Sequence, residues 1–197
     1  MKNITPYLLS ALLLSSAAFA QTVGGTVTTA IDPTPFTLVS IDLIDDVPMA
    51  DAYTYNDGGC TGANKSPTLS WSYPPEGTKS YAITMFDEDA RDGDGWLHWF
   101  VTNIPATETI LIRGIGSDNH PYPKGSQVVP NSWGKAEYGG PCPPVGDKPH
   151  KYTFTVYAMP AAEMAYPLNS LGWSTLDWLN DNAIAKASVT TTYQRLP

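Results

Sequence analysis

Between Gly114 and Pro149 the chain carries 14 glycines and prolines in 36 residues, and no stretch inside holds helical or strand periodicity. Proline removes a backbone donor and fixes φ, and glycine weakens helices and strands alike, so this part of the domain is not expected to be regular structure. The regular elements must lie on either side of it. Long loops in compact domains are usually functional or disordered. Tyr122, Trp133 and Tyr138 give this one apolar surface with which to pack down, which favours function.

The flanking segments read as strands. Phe36–Ile44, Leu69–Ser72, Tyr81–Phe86, Trp96–Ile104 and Lys151–Met159 are rich in aromatic and branched residues and are separated by turn signals such as Pro74-Pro75-Glu76-Gly77. Helix signals come late. Ser174 with Asp177 resembles a capping box, and Leu176, Leu179, Ala183 and Ala187 recur at helical spacing, which predicts a helix over 175–187, then a short strand over 188–195. Ala161–Ala165 is expected to add a helical turn. The fold class is therefore mainly β, with one or two short peripheral helices.

The first twenty residues combine Lys2, an apolar run from Tyr7 to Leu14 and the small-residue ending Ala18-Phe19-Ala20. This is the pattern of a secretory signal cleaved between Ala20 and Gln21. The run is too short for the roughly 20 residues that cross a bilayer. The expected organisation is a signal at 1–20, an arm at 21–35 and one domain at 36–197, in a periplasmic or secreted protein without stable membrane insertion. Cleavage removes Lys2 alone, so a formal net charge of −8 becomes −9. Such a surface repels nucleic-acid backbones, and nucleic acid is not an expected partner.

Export also bears on Cys60 and Cys142, the two cysteines of the chain. In an oxidising compartment a pair closes by default, and the alternative is two buried thiols. If closed, the bridge ties the Gly58–Gly62 loop to the Gly-Gly-Pro loop. A metal site on the two cysteines would need further ligands, and none flanks either residue.

Three clusters could carry chemistry: Asp87-Glu88-Asp89-Ala90-Arg91 at a strand end, Trp96-Leu97-His98-Trp99 opening the next strand, and Tyr138-Gly139-Gly140-Pro141-Cys142-Pro143-Pro144 running on to His150-Lys151-Tyr152. His98, His150, the Tyr152 hydroxyl and the Gly139-Gly140 amides are expected to converge as donors for an anion, and a protonated imidazole would add charge. Asp87 would repel a phosphate, so its expected role is to orient a histidine or to receive the amino end of a zwitterion. No G-x-S-x-G elbow or H-E-x-x-H helix is present, so a hydrolase built on the His/Asp cluster is the weaker alternative.

Taken together, Ser66-Pro67-Thr68-Leu69-Ser70-Trp71, Asp87-Glu88-Asp89-Ala90, Gly95-Trp96-Leu97-His98-Trp99, Gly139-Gly140-Pro141-Cys142-Pro143-Pro144 and His150-Lys151-Tyr152 resemble the phosphatidylethanolamine-binding, or Raf kinase inhibitor-like, family. Phe154–Ala158 is similar to its bacterial YbhB/YbcL branch, and an exported form most resembles the periplasmic YbcL type. The resemblance implies a sandwich of two antiparallel sheets and a non-catalytic pocket for phosphate-like anions or phosphorylated head groups, with no cofactor and no metal. The family includes inhibitors of kinases and of a peptidase, so a protein partner is also implied. Asp87, His98, Gly140, His150 and Tyr152 carry over as pocket residues, joined by Gly139, with Asp89 and Pro141 shaping the rim and Trp96 as a wall. Two prolines of the family's D-P-D-A-P are Glu88 and Arg91 here, which implies a more flexible rim with an added cation. Lys151 replaces an arginine, keeping the charge but losing bidentate geometry.

Overall fold

The computed structural model describes residues 34–116, 120–166 and 172–197. The expected signal and arm up to Pro33 lie outside these residues. Two antiparallel sheets form a sandwich. The smaller has the order β1-β2-β5, from Thr37–Val39, Leu69–Ser72 and Ile110–Leu111. The larger has the order β6-β4-β3-β7-β8, from Gln127–Val128, Trp96–Pro105, Ser80–Asp87, His150–Met159 and Ala185–Tyr193.

Strand β3 is buried at all eight positions, because both of its faces are covered. On one face Tyr81, Ile83 and Met85 join Trp71, Trp99 and Phe154 in the core between the sheets. On the other, Ala82 and Phe86 pack with Phe100, Tyr157 and Leu179 beneath helix α1, Trp173–Asn182. Strands covered on both sides read as nearly continuous apolar runs.

Three expected elements change. The strand over 36–44 ends at Val39, because Ser40 Oγ accepts the amides of Asp42 and Leu43 and donates to the Thr68 carbonyl, turning the chain. The helix runs over 173–182, with Gly172 at its N-cap (φ 74) instead of a Ser174 box. It stops because Ala183 is extended and the chain joins β7 as β8, starting at Ala185. No helical turn forms at 161–165: the chain bends there, and the Ala161 carbonyl accepts Ser80 Oγ.

The described residues of segment 114–149 are irregular apart from β6 and isolated bridges, and they pack down. Tyr138 is fully buried and donates to the Tyr53 carbonyl at 2.8 Å, while Tyr122 Oη accepts the Trp99 indole at 3.0 Å. Asn131 organises the turn that follows, its Oδ1 accepting the amides of Trp133 and Lys135 and its Nδ2 donating to the Glu137 carbonyl. Cys60 and Cys142 form a disulfide, 5.9 Å between Cα atoms, and Arg195 clamps the same two loops through the carbonyls of Gly59 and Pro143.

Candidate functional site

The pocket lies at the end of the large sheet where β3 stops, β4 starts and β7 starts. Antiparallel register sets Trp96, Asp87 and Tyr152 side by side across the three strands. His98 would not face this pocket in an unbroken strand shared with Trp99. A β-bulge makes it possible: Trp99 pairs with Met85 and Leu97 with Phe86, leaving His98 as the extra residue. Leu97 then packs on the helix side, while His98 and Trp99 both turn inward.

Asp87 ends β3 by its own chemistry. Its Oδ1 accepts the amides of Asp89 and Ala90, forming the turn into Ala90–Gly93. In that turn Arg91 and Asp92 are left-handed, with φ of 55 and 57. A proline, fixed near φ −65, cannot occupy position 91 of this rim, so the departure at that residue changes the backbone path as well as adding a cation. Arg91 lies over the Trp96 ring, 5.2 Å from its centroid. Asp89 pins the rim by accepting from Lys148 Nζ at 2.6 Å and from the Lys151 amide at 3.0 Å; the Lys148 contact holds its carboxyl below the usual range.

The cavity has a volume of about 250 Å³. One wall is His98, Trp96 and Trp133, the loop aromatic whose ring stands 5.0 Å from His98 and 5.3 Å from Trp96. The other is Asp87, His150 and Asp147, with Tyr152 between the two imidazoles. Cys142, Pro143 and Pro144 close the rim, so the disulfide anchors one side of the opening.

The two histidines are held differently. His98 Nδ1 donates to the Gly139 carbonyl at 2.7 Å, which leaves Nε2 as the acceptor for anything bound. Burial pushes the ring down to about 4, against the opposing pull of that carbonyl and of the Asp87 charge, so His98 is neutral at physiological pH. His150 Nδ1 donates to Asp87 Oδ2 at 2.8 Å, and Asp147 Oδ2 stands 3.5 Å from its Nε2.

The glycine amides are not free. Gly139 N donates to the His98 carbonyl at 3.1 Å and Gly140 N to Asn64 Oδ1 at 2.7 Å, so the expected anion nest does not form. The glycines serve close packing instead: a Cβ on Gly140 would stand 2.2 Å from the Tyr53 carbonyl, and one on Gly139 would stand 2.6 Å from the Trp133 ring. Pro141 contributes its carbonyl to the Tyr55 amide. The unmet donors are side chains. Trp96 Nε1 and the Tyr152 hydroxyl are sealed from solvent and have no hydrogen-bond partner. Tyr152 feels the Asp87 carboxylate but lies outside hydrogen-bond geometry with it; burial, then that charge, raises its hydroxyl well above an ordinary phenol, so it stays protonated.

The structure thus brings together Asp87, Trp96, His98, His150 and Tyr152, places Asp89 on an adjoining depression, and sets Gly139, Gly140 and Pro141 behind the wall. Trp133 and Asp147 line the site and Asn64 supports it, beyond the residues that the motifs point to. Trp133 had a signal, as an isolated aromatic in a Gly/Pro-rich loop; the other two had none.

Over residues 44–194 the chain matches the family described as phosphatidylethanolamine-binding protein. The chain belongs to that family. It is 40% identical over 175 residues to YbcL of Escherichia coli, covering 88% of this chain and 96% of that one. YbhB of the same organism is 36% identical over 153 residues, 78% of this chain and 96% of YbhB. The crystal structure of E. coli YbcL, described as a member of the mammalian family, superimposes with a TM-score of 0.75 at 42% identity over 81% of this chain and 98% of that one. The two-sheet sandwich is the shared fold. Among the described residues no helix is long and apolar enough to cross a membrane, and no group of three or more His, Cys, Asp or Glu side chains converges as metal ligands.

Proposed function

We propose that this protein is an exported binding protein that holds an oxyanion of the phosphomonoester type, or a zwitterionic phosphorylated head group, without transforming it. The observation that carries the reading is the pairing of two sealed, partnerless donors, Trp96 Nε1 and Tyr152 Oη, with one fixed acceptor, His98 Nε2, around a single small cavity. Anionic oxygens satisfy the donors once the two side chains turn toward the cavity, with Arg91 at the mouth adding charge. The acceptor requires a ligand atom that carries hydrogen: the P–OH of a monoester monoanion, or the ammonium of an ethanolamine head group. Asp87 and Asp147 disfavour a bare dianion and suit the zwitterion. Export is supported by the leader-like first twenty residues and by a Mycobacterium tuberculosis relative named as a lipoprotein, LppC, 34% identical over 161 residues. Modulation of a protein partner is the use the family resemblance offers for such a pocket.

Calorimetric titration with O-phosphoethanolamine tests the reading. Trp96→Phe and Tyr152→Phe each remove one donor and keep a ring, and each is expected to weaken binding about fivefold, the worth of one hydrogen bond near 1 kcal/mol. Unchanged affinity in both variants sinks the assignment. Turnover of phosphate or peptide esters that is lost in His98→Ala would make the protein a hydrolase instead.

A further inference from the structure

The large sheet carries a second cavity on the face turned away from the small sheet. Strand pairing lines up Thr84, Thr155 and Ser188 in one row across β3, β7 and β8, and Phe86, Thr153 and Thr190 in the next. Where Ala82, Phe86, Phe100, Tyr157 and Leu179 meet beneath α1, the packing is apolar. Beside them a cavity of about 210 Å³ lies between the hydroxyl rows and Trp173, Leu176, Asp177 and Asn180 of the helix.

The hydroxyls pair off, Thr155 with Ser188 at 2.9 Å and Thr153 with Thr190 at 3.0 Å. Thr84 is left over. It is 1% exposed, lines the cavity, and its Oγ1 has no hydrogen bond; the nearby Tyr157 hydroxyl lies outside bonding geometry. A buried hydroxyl without a partner costs about 1 to 3 kcal/mol, and a valine of the same shape would avoid that cost. At the mouth, Trp173 is held by its Nε1 donating to the Gly93 carbonyl at 3.0 Å and by an edge contact with Phe86, yet it remains 43% exposed. The charged groups are Glu88, Asp177 and Lys186, whose ammonium is bonded to Asn180 Oδ1 at 2.7 Å. Two carboxylates against one engaged ammonium disfavour an anion.

We propose that this cleft binds a small neutral polyol the size of one sugar ring. Hydroxyl ligands both donate and accept, so they can complete Thr84 and the half-used Thr and Ser hydroxyls. The carboxylates and Asn180 accept from further hydroxyls, and the exposed indole offers an apolar face to the C–H side of a ring. This site is separate from the oxyanion pocket and stands whether or not that pocket is used.

Amide NMR spectra of the purified protein, titrated with D-glucose, myo-inositol and sodium sulfate, test the proposal. Signals of Thr84, Thr155, Ser188 and Trp173 are expected to shift saturably with at least one polyol and not with sulfate, while those of His98 and His150 stay still. Thr84→Val should keep the fold and weaken the response about fivefold or more, the loss of one hydrogen bond to a buried group. Asp177→Asn, on the exposed helix surface, gives an independent second variant. Cleft signals unmoved by either polyol, moved by sulfate, or equally responsive in both variants overturn the proposal.

Discussion

The two walls of the pocket at the end of the large sheet put the same side chain to opposite uses. His98 stands among aromatic rings with its Nδ1 proton committed to a peptide carbonyl, and burial keeps it neutral. His150 stands between carboxylates, giving its Nδ1 proton to Asp87 and facing Asp147 at Nε2. Two imidazoles in one pocket therefore do not amount to two cationic donors. What a ring offers a ligand is set by the partner of its other nitrogen and by how dry the wall is.

The sharpest way to break the His98 wall is to disturb the chain behind it. Gly140→Ala drives a Cβ into the Tyr53 carbonyl, backbone against backbone, and is expected to cost more than about 4 kcal/mol in urea denaturation. A stability close to wild type would mean that the Gly139–Pro141 segment does not hold His98. On the opposite wall, Asp87→Ala removes the acceptor of the His150 proton and of two rim amides, at an expected cost of about 3 kcal/mol. A loss below about 1 kcal/mol would show that His150 is not organised by that carboxylate.

The walls should also separate by pH. Because His98 is lowered to about 4 in the folded protein, the unfolded chain takes up a proton first as pH falls below about 6.5. Stability from this group is therefore complete above pH 6.5 and is lost between about 6.5 and 4, by about 3 kcal/mol for a fully buried ring. Chemical denaturation across that interval checks it: His98→Asn, which keeps a polar group but does not titrate, should flatten this part of the profile. An equally steep decline in the variant would assign the acid lability elsewhere. A smaller effect is expected at the mouth, where Arg91→Ala should weaken anion binding about threefold without altering stability. An unchanged affinity would leave Arg91 as a partner of Trp96 alone.

How much of this was legible in the sequence depended on whether local chemistry decides the structure. Strands β3, β4 and β7 were, since burial on both faces writes long apolar runs, and β2 showed through Leu69 and Trp71 beside the turn that follows it. The helix end was not: Ala183 and Ala187 are four apart, a spacing that fits one face of a helix and one face of a strand equally, and pairing with β7 decides for the strand. The first strand was shortened by the Ser40 hydroxyl, which periodicity ignores. In the site, the motifs point to Asp87, His98, His150 and Tyr152, which line one cavity, yet they do not tell where backbone amides point. Gly140 gives its N–H to Asn64, 76 residues earlier, and the bulge that turns His98 inward exists only in the register between two strands.

The proposed pocket takes an oxyanion bearing a proton, because neutral His98 can only accept at Nε2. Methyl phosphate and methyl sulfate test it directly by calorimetry at pH 5, below the second phosphate ionisation near 6, where both ligands are monoanions and differ by one P–OH hydrogen. His98 is still neutral at that pH, its ring being lowered to about 4. Methyl phosphate is expected to bind about tenfold tighter or more, a difference near 1.4 kcal/mol. Equal affinities would contradict the role of His98 as acceptor, and no binding of either would contradict the oxyanion pocket itself.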